Sequence, residues 1–170
     1  MEEMRIDLVD FFMKPSEVQF WQNEVKNFIW NIAEYDIYKD KPNLSGMSAD
    51  ITNEDLRGLL DERVIMQAKE LTNKELKIQR VYVNAWRANE VTYPHIDKCH
   101  TTCLIYLNAD YDIAYGGETI FYEDEQNAHY AVTPHPGRAV FFDGMLTHKA
   151  TSFNHLYNGY RHTIAYKLGE

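Results

Sequence analysis

Ile78-Gln79-Arg80-Val81-Tyr82-Val83-Asn84-Ala85-Trp86 is where the chain changes character. β-Branched and aromatic residues crowd this run, and five similar runs follow it: Thr101 to Leu107, Glu118 to Tyr122, Tyr130 to Val132, Ala139 to Phe142 and His162 to Leu168. Short runs of this kind predict strands. Asn108 to Asp112, Tyr115-Gly116-Gly117, Glu123 to Asn127, Pro134 to Gly137 and Asn158-Gly159 supply the turns between them.

Before residue 75 the pattern is helical. Lys14-Pro15-Ser16 offers a stop and an N-cap, after which Val18, Trp21, Val25, Phe28, Ile29 and Ile32 recur at helical spacing. A second helix is expected from Thr52, whose relation to Asp55 resembles a capping box, with Leu56, Leu60, Val64 and Leu71 as its apolar stripe. Tyr35 to Asp50, between the two, has the composition of a long loop and is a candidate lid. Helices first and many short strands after predict an α+β chain whose helices pack on one β-sandwich or barrel.

The 170 residues, 45% of them hydrophobic, suffice for one domain over 1–170. Residues 1–75 would be mainly helical support and lid loop, and residues 76–168 the β core. A formal charge of −9 argues against nucleic acid, whose binders carry basic stripes, and favours a basic or neutral partner. Cys99 and Cys103 lack a second pair at zinc spacing and read as reduced thiols. The acidic N-terminus has no apolar signal core and no stretch approaches membrane-spanning length, so no membrane association and a cytoplasmic location are expected. The sequence does not fix the oligomeric state and is compatible with a monomer.

The chemistry gathers at His95-Ile96-Asp97 and His148. In extended backbone, residues i and i+2 project to one side, so His95 and Asp97 can reach one ion while Ile96 turns away. Phe141-Phe142-Asp143-Gly144-Met145-Leu146-Thr147-His148 offers an apolar strand, a bend and a second histidine for the same cavity. Two imidazoles and a carboxylate on one face of a metal leave positions open for other ligands, which suits non-haem Fe(II).

Spacing around these residues sharpens the reading. Tyr93-Pro94-His95-Ile96-Asp97 is followed by Thr101-Thr102-Cys103-Leu104-Ile105-Tyr106-Leu107-Asn108, by Gly116-Gly117-Glu118-Thr119-Ile120-Phe121, by Pro136-Gly137-Arg138-Ala139-Val140-Phe141-Phe142, by His148 and by Gly159-Tyr160-Arg161. In order and wording residues 76 to 168 resemble the prolyl 4-hydroxylase-like branch of the Fe(II)/2-oxoglutarate-dependent dioxygenases. The resemblance implies a double-stranded β-helix, a jelly-roll of cupin type, buttressed by the N-terminal helices. It implies Fe(II) held by His95, Asp97 and His148, with 2-oxoglutarate and O₂ consumed, succinate and CO₂ released, and ascorbate as an accessory reductant.

It further implies that Arg161 and Tyr106 hold the far carboxylate of 2-oxoglutarate and that Thr102 lines the same wall. Trp86 stands where several relatives carry a cosubstrate-contacting tyrosine, so its indole is expected to wall the pocket. Charge arithmetic supports an arginine: Fe²⁺ with one aspartate is +1, 2-oxoglutarate brings −2, and one fixed cation neutralises the set, with a planar fork that matches a carboxylate. The interval from His148 to Arg161 is longer than in many relatives and includes Phe153, His155 and Tyr157, which makes Lys149 and Lys167 competing cations. Lys149 is expected to face away from the metal, and Lys167 lies at the far end of the last strand.

His100, His129, His135, His155 and His162 read as polar residues of turns and strand ends, with alternation sending His162 away from Arg161. A halogenase would lack the carboxylate present as Asp97. A nucleobase-oxidising relative would carry a second arginine where Lys167 stands, and an iron-free β-barrel binding module would have no use for an intact His95, Asp97, His148 and Arg161. The expected reaction is hydroxylation of an unactivated C–H, with a peptidyl proline first and a free amino acid or other small molecule second as the substrate.

Overall fold

The computed structural model describes residues 5–32, 37–38, 41–42, 46–90, 92–124 and 127–170. Among the described residues twelve strands run in the order β1 Ile6–Val9, β2 Asn31–Ile32, β3 Ile37–Tyr38, β4 Lys41–Pro42, β5 Met47–Asp50, β6 Lys77–Arg87, β7 Thr101–Tyr106, β8 Thr119–Tyr122, β9 Ala128–Val132, β10 Ala139–Asp143, β11 His148–Ala150 and β12 Tyr160–Gly169. Two α-helices, α1 Pro15–Glu24 and α2 Glu54–Thr72, precede β6. Seven strands form an antiparallel sheet ordered β1-β10-β7-β12-β6-β5-β2, and β11-β8-β9 form a smaller one. No helix among the described residues is long and apolar enough to cross a membrane.

Alternation along the strands divides the large sheet into two faces. Val81, Val83, Cys103, Ile105, Phe141, Ile164 and Tyr166 point to one side and pack against Val18, Trp21 and Val25, and against Leu60, Val64 and Ala68 of α2. Burying each large apolar side chain here stabilises the fold by about 1.5–3 kcal/mol. On the opposite face Tyr82, Leu104, Tyr106, Val140, Phe142 and Ala165 meet Phe121 and Val132 of the small sheet. Helices on one face and a second sheet on the other make the double-stranded β-helix that the sequence predicted, with the cavity between the sheets.

Local differences from the expectations have local causes. The first helix gives way at Val25 to a 3₁₀ turn, so Ile29 and Ile32 are exposed despite their helical spacing. Its N-cap is Lys14, ahead of Ser16, and the Lys14 backbone N–H donates to the Glu17 carboxylate (2.8 Å). The second helix is capped by Asn53, one residue after Thr52, whose side chain accepts from the Leu56 N–H (3.2 Å). Of the expected loop from Tyr35 to Asp50, residues 47–50 are strand β5, paired with β6, so the segment reaches the main sheet sooner than its composition suggests. Residues 35–36, 39–40 and 43–45 of the candidate lid lie outside the described residues.

Candidate active site

His95 and His148 form a hydrogen-bonded antiparallel pair: each N–H donates to the other's carbonyl at 2.9 Å. This backbone clamp sets the two imidazoles 4.5 Å apart, centroid to centroid. In both rings Nδ1 lies against a carbonyl two residues earlier, His95 on Tyr93 (3.0 Å) and His148 on Leu146 (2.9 Å). A carbonyl only accepts, so Nδ1 of each ring carries a proton and Nε2 is turned toward Asp97. Both Nε2 atoms stand 3.5 Å from the Asp97 carboxylate, one from each oxygen.

The three ligand atoms lie within 4.8 Å of one another, a spacing that could hold one metal ion. Asp97 is fixed by its backbone N–H to Gly144 O (2.8 Å), by the Thr102 hydroxyl (2.5 Å) and by an ion pair with Lys167. Burial pushes its pKa up, but the His95 hydrogen bond, His148 and the Lys167 ammonium hold it well below the usual carboxylate range. Burial takes His148 down to about 4, so the ring is neutral at physiological pH. An ionised carboxylate beside the neutral His148 imidazole suits a divalent cation, with His95 as the second nitrogen donor.

Arg161, only 1% exposed, lies in the same cavity. Its Nε donates to Gly117 O (2.8 Å) and its Nη2 to Thr119 Oγ1 (3.2 Å), while the Tyr106 hydroxyl donates to that same oxygen (2.8 Å). Among the described residues no carboxylate lies within ion-pair distance of this buried guanidinium. Nearby on the cavity wall, Trp86 Nε1 and Asn84 Oδ1 are buried without a hydrogen-bond partner. A charge and two polar atoms left unsatisfied are costly, and the set fits an anionic, hydrogen-bonding occupant.

The longer interval before Arg161 is absorbed by Phe153, which is fully buried against Tyr111, Tyr115 and Tyr157. Its ring sits where a Cβ on Gly117 would fall (2.4 Å), and Gly117 has φ +87°. Only glycine fits there, which lets the Gly117 carbonyl approach Arg161.

The structure thus brings His95, Asp97 and His148 together on the wall of a cavity of about 270 Å³ that Arg161 and Trp86 also line, with Tyr106 behind it, bonded to the lining Thr119. Thr102 stands apart from Arg161, with its hydroxyl on Asp97. His162 faces the helices beside Trp30, and Cys99 and Cys103 are free thiols. Two further contributors stand out, one that the sequence reading did not single out and one that it weighed only as a competing cation for the cosubstrate. Thr119 is one, and parity along Thr119-Ile120-Phe121 with buried Phe121 signals its inward direction. Lys167 is the other: it shares Arg161's parity on β12, and its ammonium reaches Asp97 because the two ends of that strand serve opposite ends of one cavity.

Residues 77–166, just over half of the chain, match the 2OG-Fe(II) oxygenase superfamily. The chain belongs to that superfamily. No curated protein matches the sequence. Among solved structures it is similar to a prolyl hydroxylase from Trichoplax adhaerens in complex with a peptide of hypoxia inducible factor (18% identity, 95% of this chain and 83% of that one, TM-score 0.70). It is also similar to a prolyl-4-hydroxylase from Pseudomonas putida (13% identity, 98% and 94%, TM-score 0.72). A third, HygX from Streptomyces hygroscopicus with nickel and 2-oxoglutarate bound, aligns at 13% identity over 98% and 83% with a TM-score of 0.72. At these identities the likeness establishes the shared fold.

Proposed function

We propose that residues 1–170 act as one cytoplasmic enzyme domain that hydroxylates an unactivated C–H of a peptidyl proline, using Fe(II), 2-oxoglutarate and O₂. The observation that carries this reading is a buried Arg161 that has no carboxylate within ion-pair distance among the described residues, in the same cavity as His95, Asp97 and His148. In this reading the Nε2 atoms of His95 and His148 and the Asp97 carboxylate hold the iron. Arg161 takes the far carboxylate of 2-oxoglutarate. When bound, iron and cosubstrate together supply the oxidising power for C–H hydroxylation.

The chain's own residues bind and orient. Tyr106 and Arg161 both donate to Thr119 Oγ1, so the Thr119 hydrogen is left to donate to a carboxylate oxygen. Thr102 fixes the rotamer of Asp97, and the carbonyls of Tyr93 and Leu146 fix both histidine tautomers. Trp86, 4% exposed, walls the cavity against water. At about 270 Å³ the cavity sits at the small end of ligand sites, so metal and cosubstrate fill it and the primary substrate reacts at its mouth. The prolyl hydroxylases among similar structures and the −9 charge, suited to a basic or neutral peptide, support proline in a chain as substrate.

The test has two stages. Anaerobic Fe(II) with 2-oxoglutarate should give a visible metal-to-ligand absorption band that Asp97→Ala abolishes. Incubation with Fe(II), ascorbate and 2-oxoglutarate against proline-containing peptides, free proline and single-stranded DNA should release succinate and add one oxygen to a peptide. Oxygen gained only on free proline or DNA would exclude the peptide while leaving the oxygenase in place.

A further inference from the structure

Lys167 is bonded to the one carboxylate that a metal would claim. Its side chain is 14% exposed, its ammonium pairs with Asp97, and its nitrogen lies 5.7 Å from the centre of the Tyr82 ring. Directly across the sheet, Lys167 of β12 is register-paired with Arg80 of β6, and both line the cavity. Like charges placed opposite one another in a ladder destabilise it unless something lies between or beside them. Arg80 is paired with Asp50 at the rim (2.7 Å). Lys167 has Asp97, whose charge a divalent cation at the same site would share.

The sum over the cavity shows the consequence. Its charged lining residues are Arg80, Arg161, Lys167 and Asp97, three cations and one anion in a chain of net charge −9. Fe²⁺ and 2-oxoglutarate cancel one another, Arg80 is offset by Asp50 and Arg161 by Asp97 in the overall sum. One positive charge is left over, at Lys167. The positive wall is local and runs against the charge of the whole molecule, so it marks a specific anion rather than a general field.

We propose that Lys167 is a specificity-determining residue that binds a carboxylate of the primary substrate, either the main-chain carboxylate of a free imino or amino acid or an acidic side chain next to the reacting residue of a peptide. This rests on the assignment of the cavity to metal and 2-oxoglutarate. The shared chemistry is one carboxylate held beside the metal end by a single ammonium.

The experiment uses the full chain loaded with Mn(II) and 2-oxoglutarate and reads tryptophan fluorescence, to which Trp86 on the cavity wall contributes. Four probes are titrated: N-acetylproline, its amide, an end-blocked Ala-Ala-Pro-Asp-Ala-Ala peptide and the matching peptide with Asn for Asp. Expected is a preference of roughly 10- to 100-fold for a carboxylate probe over its neutral twin, the size of one charge-assisted bond. Lys167→Met should erase that preference and Lys167→Arg should keep it, with thermal melting checking that both fold. Preference within the first pair identifies a free acid, and within the second an acidic peptide. Equal binding of both twins, no binding of any probe to the loaded wild type, or a preference that survives Lys167→Met overturns the proposal. A drop in 2-oxoglutarate affinity of tenfold or more in Lys167→Met assigns the lysine to the cosubstrate instead and overturns it too. Failure of the wild type to take up Mn(II) and 2-oxoglutarate is the separate result that removes the underlying assignment.

Discussion

Tyr106 and Arg161, 55 positions apart in sequence, donate to a single atom, Thr119 Oγ1, at 2.8 and 3.2 Å. Three strands, β7, β8 and β12, therefore converge on one hydroxyl. Thr119→Val keeps the shape and removes the acceptor, leaving two buried donors unpaired. The expected cost is about 1–3 kcal/mol, seen as a lower melting temperature together with weaker 2-oxoglutarate binding by titration. Unchanged affinity would take Thr119 out of the anchor.

Arg161→Met should act on the same ligand more strongly. Loss of a buried charge-assisted pair costs roughly 2–5 kcal/mol, so 2-oxoglutarate affinity should fall by about 30-fold or more. Lys167→Met should leave it within a few-fold. The reverse ranking, measured in the same titration, would move the anchor to Lys167.

Asp97→Ala is expected to destabilise the metal-free protein because it strands Lys167 in a largely enclosed site. Breaking a fully buried pair costs about 3–5 kcal/mol, and the residual exposure of Lys167 makes the lower end the expectation. Asp97→Ala combined with Lys167→Met should recover much of the loss. Denaturant melts of the two single variants and the double variant, closed as a cycle, measure the coupling directly.

Acid should weaken the metal-free fold in a defined window. His148 and His162 are both pushed down to about 4 by burial, against 6.5 for an unperturbed imidazole. Between those values the unfolded chain binds protons that the folded one refuses, so stability rises with pH from about 4 to about 6.5 and then levels off. Melting temperature against pH should show that rise. His162→Gln, on the helix side of the sheet, should make it shallower, and an identical slope would show that His162 titrates normally.

Gly117→Ala places a methyl group into the Phe153 ring at a left-handed φ. Overpacking and backbone strain together should cost about 1–3 kcal/mol. Because the Gly117 carbonyl accepts from Arg161, 2-oxoglutarate binding should weaken alongside the melting temperature. A melting change alone would separate the turn from the anchor.

The sequence was most legible where one physical rule acted alone. β6, β7, β10 and β12 declare themselves through β-branched and aromatic residues, and two-residue parity sets His95 and Asp97 on one side. It was least legible where long-range pairing decided the outcome. Ile6–Val9 and Met47–Asp50 are short and carry acidic residues, and they are strands because β10 and β6 offer them edges. Ile29 and Ile32 continue a helical rhythm that the chain itself abandons at Val25. Thr102 and Lys167 show the limit at the site: their direction follows from parity, but their partner Asp97 comes from a separate loop, which one-dimensional spacing does not encode.

The position of β12 also governs how the molecule comes into being. It lies between β7 and β6, which never pair with each other, and it is the last strand in chain order. On the ribosome both neighbours therefore wait with an open edge until residues 160–169 emerge, and open edges are where nascent chains stick to one another. A product halted short of Tyr160 would lack Arg161 and expose two templates for aggregation at once. Incomplete copies should therefore be cleared by proteases or chaperones instead of accumulating.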